Sequence, residues 1–447
     1  MPHITILGGG PAGLGVAFYA HRVRVPFVLA EASGTLGGMC RTLQCGAHRY
    51  DTGAHRFHDC DPEITRDVAA LLGDELVRVD APSAIVERGR FIDFPPTPLN
   101  AVFAYGPREA GRILADLARS TLRRHRPAAS FEDLAVRRFG RTLARRILLN
   151  YSAKLWGLPT DELSPDVATR RLRGMTLRTL FYELLVPGRK VEHIDGSFLY
   201  PRGGYGRIAE ALAATLPPES VRTRFEIAAL EHDGETVRRV RAASGETLDV
   251  PDRLVSTLPM PVLVRLLGDG VPEPARAAAA RLRFRDVRLL FVRLRIDRLS
   301  SKASIYVPDP SLCVSRIYEP KNRSIAMSPP HETALVVEAP CFRGDEVARL
   351  APEAFAARVL DELASLRLVN PRHVVEWRDH HLPNAYPVYA RDYAGDVAVI
   401  REALGRFANL DTLGRAGGFV YSHLHDQLRF GRDCVRALTR AERARTA

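Results

Sequence analysis

The chain has 447 residues, of which 46% are hydrophobic and 26% are charged, a composition typical of a globular protein with two or three cores. Apolar runs stay below the roughly 18 residues that a membrane span needs, and basic residues are not interleaved with aromatic ones as in nucleic-acid binders. The formal net charge of +12 indicates either a solvated basic surface or attraction of a phosphorylated substrate or an anionic surface. Because an apolar strand begins at Ile4, no room is left for a signal peptide, and we expect a cytoplasmic location.

A glycine-rich turn separates the first predicted strand, residues 4–7, from a predicted helix over residues 14–20. Gly8, Gly10 and Gly13 have the spacing G-x-G-x-x-G. The first glycine permits the tight turn, the second lets the backbone approach a pyrophosphate, and the third lets helix and strand pack closely. The pyrophosphate would then lie on the free N–H groups at the positive end of the helix.

A second apolar strand, residues 25–29, ends at Glu31, which is about 20 residues beyond the glycine turn. An acidic side chain at this place can bind ribose hydroxyls, whereas a purely structural turn would not need it. The sequence therefore predicts a dinucleotide site, with the residues Gly8, Gly10, Pro11, Ala12, Gly13, Glu31 and Ala32. Further along, Gly37 and Gly38 would let the chain pass close to the cofactor, and Arg41 could neutralise a phosphate.

The middle of the chain alternates between helical and extended patterns. Residues 84–86 and 90–94 predict a hairpin around Gly89, which ends at Pro95. A helical pattern spans about 106–126, and Ser130 with Asp133 predicts a capped helix that runs towards Leu149, so residues 96–190 read as a mainly helical insertion. Later strands are predicted near 225–230, 237–242, 254–258, 287–296, 304–307, 314–318 and 334–338, and helices near 352–366 and 426–438.

Several stretches together resemble flavoproteins of the amine oxidase and protoporphyrinogen oxidase type. Residues 36–42 resemble their second glycine motif, 221–259 their hairpin-then-crossover segment, and 414–432 their C-terminal segment beside the flavin ring. The resemblance implies FAD and an α/β fold, in which a Rossmann-like FAD-binding domain carries a helical insertion and a mixed-sheet substrate domain. The implied boundaries are 1–95, 200–285 and 400–447 for the discontinuous FAD-binding domain, 96–199 for the helical insertion and 286–399 for the substrate-binding sheet domain.

Within this superfamily the chain is most similar to UDP-galactopyranose mutases. Residues 53–58 resemble their histidine loop at the flavin, 91–99 their aromatic-proline segment, 151–157 their Tyr…Lys-x-Trp stretch, and 198–206 their Phe-x-x-Pro…Gly-Gly element. The resemblance implies that catalytic or substrate contacts come from His55, Arg171, Arg316, Tyr386, Tyr421, His423 and His425. It adds to the cofactor site the residues Gly37, Gly38, Arg41, Thr42, His55, Ile227, Gly414, Arg415 and Tyr421.

Two functions remain open. The mutases usually carry an Asn- or Asp-containing run where this chain has Ser-His-Leu-His-Asp over residues 422–426. The first function is isomerisation of a nucleotide sugar between pyranose and furanose forms through N5 of reduced flavin. The second is FAD-dependent oxidation of a small molecule. Both functions imply a small-molecule substrate as the partner. For the isomerisation this substrate is a nucleotide sugar or another phosphorylated compound. An oligomer is possible.

A metal centre is the remaining alternative for the histidine loop. His55, His58, Cys60 and Asp61 are side chains of types that bind zinc, but they lie within a few residues on one loop, and no second cluster has clear ligand spacing. We therefore predict no metal. His423 and His425 are predicted to border the flavin or the substrate instead, because they follow the segment that resembles the flavin-side turn.

Overall fold

The structure, a computed structural model, describes residues 2–87, 89–94, 106–121, 127–171 and 197–446. Two sheets dominate it, a five-stranded sheet with the strand order β19-β13-β1-β2-β9 and a seven-stranded sheet with the order β18-β14-β17-β16-β15-β6-β7. A three-stranded sheet, β10-β11-β12, and the pairs β3-β4 and β5-β8 complete the strands of these ranges. This is the α/β fold that the sequence predicts.

The strands are, in chain order, β1 (Ile4–Leu7), β2 (Phe27–Ala30), β3 (Thr42–Cys45), β4 (His48–Asp51), β5 (Leu76–Asp80), β6 (Ser83–Glu87), β7 (Arg90–Phe94), β8 (Ser197–Pro201), β9 (Val221–Arg222), β10 (Ile227–His232), β11 (Val237–Ala242), β12 (Thr247–Asp249), β13 (Arg253–Ser256), β14 (Phe284–Leu294), β15 (Ser304–Tyr306), β16 (Arg316–Tyr318), β17 (Thr333–Cys341), β18 (Val374–Pro387) and β19 (Leu410–Thr412).

The α-helices are Pro11–Arg22, Pro62–Leu72, Pro107–Thr121, Phe131–Phe139, Arg141–Ala144, Asn150–Trp156, Asp166–Arg171, Gly206–Ala214, Met260–Leu267, Glu273–Arg281, Glu346–Arg349, Pro352–Ser365, Tyr393–Leu404, Gly414–Gly417 and Leu424–Thr446. A π-helical turn covers Arg145–Leu149, and short 3₁₀ turns cover Gly73–Glu75, Pro218–Ser220, Gly268–Gly270, Pro320–Asn322, Ile325–Met327 and Pro371–His373. Of the helices in the described ranges, none is long and apolar enough to cross a bilayer.

The five-stranded sheet is parallel throughout. β1 lies at its centre, between β2 and β13, and all four of its residues are buried. Strands that are covered on both faces need such continuous apolar sequence. The helix that follows begins at Pro11, three residues earlier than predicted, because proline is favoured in the first turn, where its missing N–H costs no hydrogen bond.

The seven-stranded sheet is mixed and carries a row of cavity-facing side chains. Ile85, Tyr306, Arg316 and Glu338 are direct neighbours across β6, β15, β16 and β17. The hairpin β6-β7 is confirmed, but it pairs with β15 and lies in this sheet, although the sequence placed it with the FAD-binding part. The edge strand β18 was not predicted, because it is polar and contains proline, which edge strands tolerate.

The helical segment begins as predicted but is broken once. The Ser130 hydroxyl accepts a hydrogen bond from the Asp133 backbone N–H at 3.2 Å, which confirms the capped start. The prediction of one helix as far as Leu149 is wrong, because Gly140 has a φ of +74°, ends the first helix after Phe139 and redirects the chain. The predicted proline segment over 95–99 and the part of the helical insertion over 172–190 lie outside the described residues.

The buried carboxylate of Asp51 joins several elements at the end of β4. It accepts hydrogen bonds from the hydroxyl groups of Tyr200 at 2.6 Å and Thr42 at 2.7 Å, and from the backbone N–H of Tyr205 at 2.9 Å. The Asp51 carbonyl oxygen accepts a further bond from the Tyr318 hydroxyl on β16. β3, β4, β8 and the seven-stranded sheet are thereby fixed relative to one another.

The first and last helices pack through glycine. A Cβ atom on Gly431 would lie 2.4 Å from the carbonyl carbon of Gly15 and 2.5 Å from the backbone nitrogen of Val16. A Cβ atom on Gly15 would lie 3.1 Å from the Leu428 Cα atom. The two helix backbones therefore approach each other more closely than any larger residue permits.

We expect Gly431→Ala to lower the free energy of unfolding by about 1–3 kcal/mol, because the added methyl group forces the two helices apart. Gly395→Ala is the matched control, since Gly395 is an exposed helical residue whose added Cβ meets no atom within 4 Å. The control should be unchanged or up to about 1 kcal/mol more stable. Denaturant unfolding of both variants measures the difference, and equal effects would contradict the packing argument.

Candidate functional site

A cavity of about 1320 Å³ opens between the parallel sheet, the seven-stranded sheet and the helical segment. Typical small-molecule sites measure about 300–1,000 Å³, so this cavity has room for a large cofactor and a substrate together. The predicted site residues that line it are Gly8, Gly10, Pro11, Ala12, Glu31, Gly38, His55, Arg316, Tyr386, Gly414, Arg415, Tyr421, His423 and His425.

The glycine turn has the geometry that a pyrophosphate requires. Gly8 has a φ of +97°, and a Cβ atom on Gly13 would lie 1.9 Å from the Gly8 carbonyl oxygen, so turn and helix pack backbone to backbone. Gly10 precedes the helix, and no side chain caps its first N–H groups. A Cβ atom on Gly10 would meet only the Gly38 Cα atom, at 4.0 Å, and would otherwise project into open space beside the helix start.

Glu31 is held with its carboxylate at the cavity. One oxygen accepts a hydrogen bond from the Gly9 backbone N–H at 2.7 Å, and the other accepts one from the Ser33 N–H at 2.9 Å. Each oxygen keeps a second lone pair, which a ribose hydroxyl can use. The structure therefore places Glu31 where the sequence predicts an acidic group.

The second glycine motif packs on the first. The Gly37 backbone N–H donates to the Gly9 carbonyl oxygen at 2.8 Å, and Gly38 lies over Gly10. Among the residues that the structure describes, the buried Nε of Arg41 has no hydrogen-bond partner. A buried guanidinium nitrogen without a partner is expected where a phosphate would bind, which fits a dinucleotide.

Six predicted cofactor residues do not line the cavity themselves: Gly13, Ala32, Gly37, Arg41, Thr42 and Ile227. Gly13 and Gly37 pack behind the turn, and Ala32 is exposed. The Thr42 hydroxyl donates to Asp51 and accepts from the Gly206 N–H at 2.8 Å, so its bonds are structural. Ile227 packs in β10 against the hydrophobic core.

The C-terminal segment lines the cavity directly beside the glycine turn. Gly414 has a φ of +87°, and a Cβ atom there would lie 2.9 Å from the Ala12 Cβ atom. The Arg415 guanidinium donates to the carbonyl oxygens of Ser422 and Ala385. Its central carbon lies 5.7 Å from the ring centre of Tyr386 and 5.3 Å from that of Tyr421. Arg415 therefore lies beside both tyrosine rings, at the wall of the cavity.

His55 presents a neutral imidazole at the cavity. Its Nε2 donates to the Met39 carbonyl oxygen at 2.9 Å, and its ring stacks on Tyr205 with a centroid distance of 4.9 Å. Burial, with the nearby guanidinium groups of Arg415 and Arg316, lowers the pKa of His55 to about 3. A neutral ring held in one tautomer can orient a neighbouring group but is not a cationic anion receptor.

Arg316 is bound by a carboxylate that sequence reasoning missed. The Arg316 Nε and Nη2 atoms donate to the two Glu338 oxygens, both at 2.8 Å, and Nη2 lies 3.5 Å from the Tyr386 hydroxyl. Glu338 is 2% exposed and also accepts from the Ala54 N–H at 3.0 Å. In the described part of the chain, the Arg316 Nη1 has no hydrogen-bond partner and is left for a ligand. Only the register of β16 on β17 reveals this pair.

The Tyr…Lys-x-Trp stretch contributes packing as well as cavity wall. Tyr151 lines the cavity, whereas the Lys154 ammonium donates to the carbonyl oxygens of Val307, Asp309 and Val314 and ties the helix to the sheet. Trp156 is buried, and its ring stacks on Tyr389 at 5.7 Å with its edge towards Tyr386 and Tyr421. Arg171 ends the helix Asp166–Arg171, and its side chain lies outside the described residues.

Three histidines cluster at one end of the cavity. The His423 ring stacks on His425 at 5.7 Å and meets the edge of His58 at 5.4 Å. Burial and the neighbouring His58 lower the pKa of His423 to about 3, so the ring is neutral near pH 7. His58 lines the cavity with the other two. In the described ranges, no three His, Cys, Asp or Glu side chains are arranged to hold a metal ion.

We expect Gly10→Val to fold but to lose FAD. The backbone at Gly10 is extended, with φ −72° and ψ −179°, so valine adopts it without strain, while its side chain would occupy the place of the pyrophosphate. The ratio of flavin to protein absorbance measures the loss, and circular dichroism measures the fold. Gly395→Ala should keep both signals, and full flavin content in Gly10→Val would contradict the assignment.

The two neutral histidines predict a pH dependence of stability. Both pKa values fall from 6.5 to about 3, so between these pH values the unfolded chain binds protons that the folded chain does not. The free energy of unfolding should therefore rise with pH in this window, by up to about 1.4 kcal/mol per pH unit for each histidine. His423→Gln should reduce the slope of denaturant-unfolding data, and His331→Gln, at an exposed side chain, should not. Equal slopes in His423→Gln and the unmutated chain would contradict burial of a neutral ring.

The fold of the chain is shared with several solved flavoproteins. A structure of reduced UDP-galactopyranose mutase superposes with a TM-score of 0.86 at 21% identity, over 98% of this chain and 96% of that chain. Cyclohexylamine oxidase from Brevibacterium oxydans IH-35A gives a TM-score of 0.69 at 14% identity, over 99% of both chains. A CLA-producing fatty acid isomerase from P. acnes gives 0.65 at 16% identity, over 98% of both chains.

The family of the chain follows from a match to a family model. The family model of flavin containing amine oxidoreductases matches residues 11–398, which include the first helix, the helical segment, the seven-stranded sheet and the strands β2, β9 and β13 of the parallel sheet. The glycine turn, Glu31 and the unpartnered Arg41 Nε fit the dinucleotide that such enzymes use. The chain belongs to the flavin-containing amine oxidoreductase family and is an enzyme with FAD as its cofactor.

Proposed function

We propose that the enzyme isomerises a nucleotide sugar between its pyranose and furanose forms, with FAD in the reduced state. The observation that carries the proposal is the group formed by Arg316, Tyr386, Tyr421 and Arg415 on one wall of the cavity. These side chains offer N–H and O–H donors to a diphosphate, and the one carboxylate bonded to this group, Glu338, is paired with Arg316. The similar fold of UDP-galactopyranose mutase supports the proposal.

The chain's own residues would bind and orient the diphosphate. Glu338 fixes the plane of the Arg316 guanidinium at the cavity, so little conformational entropy would be lost when a phosphate oxygen binds. The rings of Tyr386 and Tyr421 are nearly parallel, at 19° and 6.2 Å, and are held by Arg415 and Trp156. When the bond from the sugar to the diphosphate breaks, these donors would stabilise the charge that develops on the phosphate oxygen.

Reduced FAD supplies an electron-rich N5 that can attack the anomeric carbon of the sugar. His55 would lie beside this part of the cofactor as a neutral ring, because its Nε2 proton is committed to the Met39 carbonyl oxygen. It would therefore position the cofactor rather than act as a nucleophile. Net electron transfer to an acceptor is not part of this reaction.

The domain division is part of the same proposal. Residues 1–95, 200–285 and 400–447 would bind FAD, with the exception of β6 and β7, while 96–199 and 286–399 would contribute the substrate side. The positions of Glu31 on the parallel sheet and Arg316 on the mixed sheet, at one shared cavity, support this division.

A second candidate is oxidation of a small molecule, as the family name and the fold of cyclohexylamine oxidase suggest. The observation that favours it is the neutral His423 beside His58 and His425, where the mutases have an Asn- or Asp-containing run. With a pKa of about 3 the His423 ring is a weak base, so this cluster would orient a substrate hydroxyl or amine by hydrogen bonds rather than take its proton.

The state of the flavin distinguishes the two functions. The purified protein is assayed with dithionite-reduced and with air-oxidised FAD on a panel of nucleotide sugars, while oxygen uptake is followed in parallel. We expect isomerised product only under reduction and no consumption of an acceptor. Stoichiometric consumption of oxygen or another acceptor, together with an oxidised product, would exclude the isomerase and favour the oxidoreductase.

A further inference from the structure

Arg56 is a charged residue of the cavity that none of the roles above uses. Its Nη2 donates to the hydroxyl groups of Ser83, at 2.6 Å, and Ser304, at 3.4 Å, and its guanidinium carbon lies 5.0 Å from the ring centre of Phe198. Arg56 and Ser83 both line the cavity. The guanidinium is thus held in place through Nη2 by two hydroxyl groups of the described residues.

The charge of Arg56 is not balanced. Within residues 2–87, 89–94, 106–121, 127–171 and 197–446, no carboxylate forms an ion pair with Arg56, and its charged neighbours include Arg323 and Arg316. Burial and repulsion by Arg323 lower the pKa of Arg56 to about 10. Of the carboxylates that line the cavity, Glu338 binds Arg316 and Asp426 binds Arg429, while Glu31 accepts from backbone N–H groups and Asp59 from the Thr65 hydroxyl. A partly buried cation without a counter-ion is unfavourable, so the site suits an anion from outside the chain.

The position of Arg56 relative to Arg316 follows from strand register. Ser83 pairs with Ser304, and two residues further along the same strands Ile85 pairs with Tyr306, which pairs with Arg316. Side chains two residues apart on a strand share one face of the sheet and are about 7 Å apart. Arg56, which is bound to Ser83, and Arg316 therefore lie at neighbouring rows of the same sheet, beside the same cavity.

We propose that Arg56 binds one phosphate group of a diphosphate substrate whose other phosphate group is bound at Arg316. The inference rests on the proposed function and narrows it, because a substrate with a single phosphate or carboxylate would leave Arg56 unbalanced. The pyrophosphate of FAD would be a separate ligand, because the uncapped helix start at Gly10 suits it and neither Arg56 nor Arg316 belongs to that turn.

The test compares inorganic pyrophosphate with inorganic phosphate on the FAD-loaded enzyme by calorimetry. We expect pyrophosphate to bind at least about tenfold more tightly than phosphate, because two guanidinium groups hold it instead of one. Arg56→Gln should reduce this ratio to nearly one, and Arg56→Lys should keep part of it. Arg49→Gln, at an exposed residue of β4, is the matched control and should leave the ratio unchanged.

The outcomes separate this inference from the proposed function. Weaker pyrophosphate binding in Arg316→Gln, with an unchanged ratio in Arg56→Gln, would overturn the role of Arg56 and leave the diphosphate site standing. Unchanged binding in both variants would contradict both. The midpoint of thermal unfolding of Arg56→Gln should be no lower than that of the unmutated enzyme, because a partly buried charge without a counter-ion is removed. A lower midpoint with an unchanged ratio would identify Arg56 as a purely structural residue.

Discussion

The buried carboxylate of Asp51 is the interaction on which the cavity depends. Three donors, from Tyr200, Thr42 and the Tyr205 backbone, converge on its two oxygens, while its carbonyl oxygen accepts from Tyr318 on the seven-stranded sheet. Burial raises the pKa of Asp51, and the hydrogen bonds act in the opposite direction by favouring the ionised form. The residues after Asp51 lead directly into the loop that carries His55. The hydrogen bonds to the Asp51 carboxylate therefore help to set the position of this part of the cavity wall.

The cavity combines neutral imidazoles with guanidinium groups in different states of charge balance. His55 and His423 remain uncharged because burial and neighbouring cations disfavour their protonation. Arg316 is balanced by Glu338, whereas Arg415 donates to main-chain carbonyls and keeps its charge beside the tyrosines. Such an arrangement favours an anionic ligand over a cationic amine. This electrostatic preference supports the proposal that the substrate is phosphorylated.

Local signals in the sequence predicted local structure well. The glycine turn, the Ser130 cap and the hairpin at Gly89 each depend on residues within a few positions of one another, so their patterns identify them directly. Gly140, which follows Phe139, is also a local helix-ending signal, and weighing it would have predicted the break. The Arg316–Glu338 pair and the place of Arg56 depend instead on which strands are neighbours in the mixed sheet. No spacing along the chain reveals that pairing, and the polar strand β18 concealed one edge of the sheet.

The close packing of Gly15 on Gly431 also affects how the enzyme is made. The cofactor site combines residues near Gly10 with residues near Gly414, which are separated by almost the whole chain. During translation the glycine turn leaves the ribosome long before the helix that completes it, so a growing chain cannot bind FAD in the finished way. Contacts between such distant segments also form slowly. FAD is therefore expected to bind after the chain has been released. Its binding would then stabilise the molecules that have folded correctly.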